Sequence, residues 1–134
     1  MFGSLDVSTS GLIANRIRME VATANIAGSD VILNDKGEYE PFKRRLVMLA
    51  PGDPSCDSES GVHVAAIELD DGPPRLQYEP GSPFADANGY VGYPNINIVV
   101  EQMNMMEAQR SYEANITAAE ATKSMMSVAL QMLA

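Results

Sequence analysis

The sequence has no tryptophan, one histidine and one cysteine. With His63 as its only imidazole, any Ser/His/Asp or Cys/His arrangement would have to use that residue, and nothing near it in sequence forms a nucleophile elbow. It reads instead as a solvent-facing strand residue. Cys56 is alone, so no intrachain disulfide can form and stability cannot draw on an oxidising compartment. A solitary thiol of this kind reads as a solvated or buried structural residue. Basic residues are also scarce: nine Lys and Arg stand against eighteen Asp and Glu, for a net charge of −9. Phosphate neutralisation needs a concentrated basic surface, which excludes a nucleic-acid partner. No apolar run reaches the roughly 18 residues of a membrane span. The opening "MFGSLDVSTSG" lacks the positive n-region and unbroken apolar core of a cleaved secretory signal. Gly-rich phosphate loops and metal-spaced Cys/His clusters are missing too, so no cofactor or metal is expected.

Proline and glycine are nearly absent from the two ends. All eight prolines and eight of the ten glycines fall between Gly28 and Pro94, which divides the chain into residues 1–27, 28–94 and 95–134. Charge follows the same division. The first part is neutral and the last carries −2, so the middle, with twelve acids against five bases, holds −7. Uninterrupted ends favour long helices, and a breaker-rich centre favours strands and turns. The fold class expected is α+β, with N- and C-terminal helices paired in a coiled-coil-like layer and a small β-rich, turn-rich middle.

The ends carry the strongest periodicity. Leu5, Leu12, Met19 and Ile26 recur every seven residues, and Ile13, Ile17, Val21 and Ala24 follow 3–4 spacing on a neighbouring face. In the last part Ile98, Met105, Tyr112, Ala119, Met126 and Leu133 hold the seven-residue interval, reinforced by Ile116 and Leu130. A second stripe runs through Ala114, Ala118, Ala121, Met125, Val128 and Met132. A helix with two apolar seams needs neighbours on two sides. Pairing the ends covers one seam on each, and the middle offers no third helix. Burial of one seam returns less free energy than ordering both helices costs, so other molecules are expected to complete the packing. The seam residues are therefore the candidate subunit interface. Tyr112 is a candidate anchor, since a large aromatic can fill a partner's pocket, or else serves the intrachain pair. Asn25 and Asn115 lie beside the seams and could fix register through a hydrogen bond or simply face solvent.

In the middle, Asn34, Asp35 and Gly37 of "LNDKGEY" suit a tight turn. "FKRRLVML" and "GVHVAAIEL" read as strands, with a further short strand around Leu76 to Tyr78. "PGDPSCDSESG" is small and polar and reads as an exposed loop that adds no core. Asp70 and Asp71 are adjacent and would point to opposite faces of a strand, so they read as turn acids. "DANG", residues 86–89, has a fragment of a calcium loop but lacks the other ligands and the closing Glu. An Asx-type turn accounts for Asp86 and Asn88. The sequence offers no credible active site.

Two sets of motifs resemble a known family. "SGL" at residues 10–12 and "NIA" at residues 25–27 are similar to the N-terminal signature of the bacterial flagellar axial proteins of rod and hook. "GYVGYPNIN" (89–97), "RSYEAN" (110–115) and "ATKSMM" (121–126), in that order, resemble more narrowly the FlgC family of proximal rod proteins. The likeness spans nearly the whole chain. Gly28 departs from it, standing where the family commonly continues with Asn, and so do Ser82 and Pro83 after "PG".

The resemblance implies a structural subunit of the basal-body rod, located in the periplasm-spanning shaft and exported unfolded by the flagellar type III apparatus without a cleaved signal. It implies partners as well: copies of the chain, other flagellar rod proteins, the export apparatus and membrane-ring components. The terminal helices would form an inner layer around the export channel, with the middle outside, and torque would pass through helix packing. A non-filament binding module using the C-terminal helix as a docking element is the alternative. An enzyme built on the acidic middle fits poorly, for want of a general base near neutral pH.

Overall fold

The computed structural model describes residues 2–53 and 58–133, so Cys56 and the centre of the polar stretch around it lie outside the described residues. Helix α1 spans Phe2–Ala27 and helix α2 spans Ile98–Leu133. Between them lie four strands, β1 (Arg45–Asp53), β2 (Ser58–Leu69), β3 (Arg75–Tyr78) and β4 (Tyr90–Tyr93), in two separate antiparallel hairpins. The chain is thus α+β, with long terminal helices and a small sheet-and-turn middle.

Asn97 starts α2 in the way an N-cap should: its side-chain oxygen accepts the Val99 and Val100 N–H groups, and its carbonyl accepts from Glu101. The two helices run antiparallel. Asn25 meets Glu101 at one end, Arg18 lies beside Glu107, and Gly11 faces Asn115. The same register puts the start of α1 opposite residues near 124. The last turns of α2, residues 125–133, therefore continue past α1 by about 13 Å, at roughly 1.5 Å per residue.

The face that α1 turns inward is small and polar rather than leucine-rich. Ser8, Gly11, Ala14, Asn15, Ala22 and Asn25 are buried, while the seven-residue stripe of Leu5, Leu12, Met19 and Ile26 flanks them, half-buried. Small residues let helix axes approach closely, and the larger side chains then close over the sides of the contact. The buried polar groups are satisfied locally: Ser8 donates to the Ser4 carbonyl and Asn15 to that of Gly11.

The middle packs against the helices. β1 and β2 pair from Arg45 opposite Leu69 to Asp53 opposite Ser58, with irregularities after Met48 and after Pro51. This hairpin lies along α1. Ser10 Oγ accepts the Val62 N–H at 3.1 Å, and the adjacent Gly61 has a φ of +100° and no room for a Cβ, which would sit 2.8 Å from that same oxygen. On this side of α1 Val21 is buried and Ile17 half-buried, so the second seam of α1 is largely covered within the chain, and Ile13 is left exposed. The first strand begins at Arg45 rather than Phe42 because residue 42 is engaged elsewhere: its N–H bonds the Val31 carbonyl and its ring packs on Gly28. It also runs on through Pro51 and Gly52, which sequence alone placed in a loop.

Strands β3 and β4 were not both foreseen, since Tyr90–Tyr93 carries two glycine-flanked tyrosines rather than an alternating pattern. Asp86 builds their turn, accepting from the N–H groups of Asn88 and Tyr90, as an Asx turn does. The Tyr39 hydroxyl accepts from the Gly92 N–H and donates to the Gly92 carbonyl, which ties the 34–39 turn to β4. Behind it Val91 and Ile96 are buried. Asn34 organises that turn, accepting from the N–H groups of Lys36 and Glu38. Asp70 closes another by accepting from Gly72. His63 does not face solvent freely; it is half-buried, with Nδ1 2.8 Å from the Gly52 carbonyl across the hairpin.

Candidate assembly interface

Helix α2 presents two different faces. Toward α1 lie Glu101, Asn104, Met105, Ala108, Tyr112, Asn115, Ala119, Thr122 and Met126, all buried or half-buried and spaced by three or four. On the opposite side Met103, Met106, Ala114, Ala118, Ala121, Met125, Val128 and Met132 are all exposed, Met125 at 64% and Met132 at 81%. The stripe runs along most of the helix, interrupted by Glu107 and Arg110 between Met106 and Ala114, with alanines in the middle and methionines toward both ends. No described residue covers it. Monomers scatter single apolar residues over their surfaces, and an exposed apolar row of this length is unusual on one.

The residues singled out from sequence divide between these faces. Met105, Tyr112 and Met126 sit on the α1 side, so Tyr112 belongs at least partly to the intrachain pair. Met125 and Met132 belong to the open face. Ile98, Ile116 and Leu130 are exposed along the flank of α2, while Leu133 ends the helix and its side chain lies outside the described residues. On α1, Leu5, Leu12, Met19 and Ile26 flank the helix contact, Ile17 and Val21 turn toward the hairpin, and Ile13 alone of this set is exposed.

The two asparagines take different places. Asn115 packs against Gly11, where any Cβ would lie 2.7 Å from its amide nitrogen. Asn25 is 1% exposed and uses its whole amide: Oδ1 accepts the Arg45 N–H at 2.8 Å, and Nδ2 donates to the Arg45 carbonyl and to Glu101 Oε2, each at 2.9 Å. Glu101, 2% exposed, completes the group by accepting from Arg44 Nε at 2.9 Å and Nη2 at 2.7 Å through Oε1. One cluster therefore joins α1, β1 and α2. Sequence reasoning placed Asn25 beside a seam but missed Glu101 and Arg44. The available signal was a carboxylate at an inward heptad position, which is rarely buried without a cation.

Among the described residues no group of three or more His, Cys, Asp or Glu is placed to hold a metal ion, and no helix is long and apolar enough to cross a membrane.

Comparison with known proteins points the same way. Residues 5–31 match the family described as flagella basal body rod protein, and residues 87–132 match the C-terminal family of flagellar basal body rod FlgEFG proteins. The chain is 40% identical to the flagellar basal-body rod protein FlgC of Salmonella typhimurium, over 90% of this chain and 89% of the other. It is 38% identical to FlgC of Bacillus subtilis, over 97% and 96%, and 40% identical to FlgC of Aquifex aeolicus, over 92% and 90%. With an exposed helical stripe and relatives of this similarity along nearly its full length, the chain belongs to the FlgC family of flagellar basal-body rod proteins.

Proposed function

We propose that this chain is a mechanical, non-catalytic subunit that enters the rod by docking the outward face of α2, together with the extension at residues 125–133, against helices of neighbouring copies and sister rod proteins. The observation that carries this reading is the uncovered Met/Ala stripe. It lies on an otherwise paired helix, it continues beyond the end of α1, and the charged residues nearby (Arg110, Glu113, Glu120, Lys123) are of mixed sign and leave it open to another helix.

In this arrangement residues 1–27 and 95–134 form an inner layer around the export channel, and the acidic residues 28–94 lie outside it. Torque then passes through many buried side chains, with no bond made or broken. Ile98, Ile116 and Leu130 widen the contact along the flank of α2, Ile13 offers an exposed apolar point on α1, and Leu5, Leu12, Met19 and Ile26 close the flanks of the helix pair. The polar positions Asn25 and Asn115 hold the register of the pair that presents it. Passage through the export apparatus without a cleaved signal, and contact with membrane-ring components, follow from the same role.

Met125→Asp is the direct test. The substitution lies on solvent in the free chain, so secondary structure and unfolding midpoint stay unchanged while incorporation into isolated basal bodies and swimming are lost. Normal rods containing the variant would show that the stripe is not the interface.

A further inference from the structure

The Asn25–Glu101–Arg44 cluster carries a consequence for how the chain folds. Pairing α2 with α1 takes the Glu101 carboxylate out of water. A neutral amide, Asn25, is all that α1 offers it, and Asn97 already occupies the first N–H groups of α2. The compensating charge comes from neither helix. It is Arg44, held in place because the next residue, Arg45, is clamped through both its backbone groups to Asn25 at the head of β1. A buried carboxylate without its cation opposes burial strongly, whereas an apolar residue in the same place would favour pairing whatever the middle did.

We propose that Glu101, Arg44 and Asn25 form a clasp that makes pairing of α1 with α2 conditional on folding of the outer segment. Until β1 and its hairpin are in place, Glu101 holds the root of α2 away from α1. Once they are, the guanidinium and the amide together close the joint and set the angle at which the outer segment leaves the helices. The clasp acts at the end of α2 where its buried positions lie, Glu101 and Ala108, far from the open extension. It is therefore independent of how the outward stripe is used in assembly.

Helix pairing can be read in the full chain by disulfide trapping. Thr23 and Met105 face each other, Oγ1 to Sδ at 3.7 Å, so Thr23→Cys with Met105→Cys in a Cys56→Ser background reports the closed pair in dilute solution. Arg44→Met lowers the cross-linking rate at least tenfold; Arg44→Met with Glu101→Met restores it to within about twofold of the parent. A hairpin-breaking Val64→Pro lowers cross-linking in the Glu101 chain but not in the Glu101→Met chain. The proposal is overturned by an Arg44→Met chain that cross-links at the parental rate, or by a double variant no better than Arg44→Met, since Arg44 would then act through packing alone. A parental chain with a folded hairpin but unpaired helices would overturn it as well.

Discussion

Single residues in this chain are constrained by very short distances. Gly28 is the clearest case, because the reason for a residue without a side chain is visible there. The Phe42 ring lies so close that a Cβ would fall 2.5 to 2.7 Å from three of its carbons. A ring cannot bend aside as a flexible side-chain tip can. Gly28→Asn is accordingly expected to destabilise by about 1–3 kcal/mol, the usual cost of overpacking, with a lowered urea midpoint, and Phe42→Ala added to it should recover part of the loss. A second residue-scale effect concerns alkaline pH. The Lys43 ammonium is held above its ordinary pKa by a hydrogen bond and Coulomb attraction to Asp71, and the Tyr93 hydroxyl is raised by burial and then by its bond to Glu79. A pKa raised by folding gives stability that is complete below the unfolded value and disappears as pH climbs through the folded one. Thermal midpoints should thus hold up to about pH 10 and fall above it. Lys43→Met with Tyr93→Phe should flatten that fall; an unchanged profile would rule these two groups out as its source.

Among elements, α2 carries the sharpest contrast between a covered face and an open one. Ala108 is fully buried against α1 whereas Met125 is 64% exposed. Ala108→Asp puts an unpaired charge between the helices and should cost the free chain upward of about 3 kcal/mol. Met125→Asp should stay within about 0.5 kcal/mol of the parent. Met126→Asp, at the point where α1 runs out, should also leave the middle folded while blocking incorporation into the rod. Urea unfolding beside a basal-body incorporation assay separates the three; equal stability losses would mean that the two faces of α2 are not distinct. The helices themselves were legible from sequence because the breakers Pro and Gly are concentrated between residues 28 and 94 and periodicity elsewhere is uninterrupted. The direction of each face was less so. In α1 the pattern pointed to Leu5, Leu12, Met19 and Ile26, but the closest contact runs through Gly11, Ala14 and Ala22, since small side chains give little hydrophobic signal and gain their value from distance alone. Strand β4 escaped for a related reason: Tyr90–Tyr93 is fixed by the Asp86 turn and by Tyr39, fifty-three residues before Gly92. The clasp of Glu101 with Arg44 likewise spans fifty-seven residues and leaves no local pattern.

At the scale of the whole molecule, order is distributed unevenly along its length. Close to the clasp, α1 has α2 on one side and the β1–β2 hairpin on another, and buried residues are dense there: Val21, Ala22, Asn25, Glu101 and Ala108. Beyond Ala108 no described residue of α2 is fully buried, and beyond about residue 124 the helix has no α1 beside it. Isolated helical turns of this length are marginal in water, because nucleation and propagation return little without tertiary contact. The free subunit should therefore be closed at the clasp and frayed toward residue 133, and polymerisation should complete the helix rather than dock a rigid rod. Hydrogen exchange measures this directly. In the dilute chain, amides of α1 and of α2 up to about Ala108 should be protected, and those from about residue 120 onward should exchange at nearly the unstructured rate, slowing by at least a hundredfold in assembled rods. Such a gradient joins the two ends of the molecule to one logic: the root of α2 waits for its own outer segment, and the tip waits for a neighbour. Uniform protection along α2 in the free chain would contradict it, because the tip would then be stable without any partner to cover Met125, Val128 and Met132.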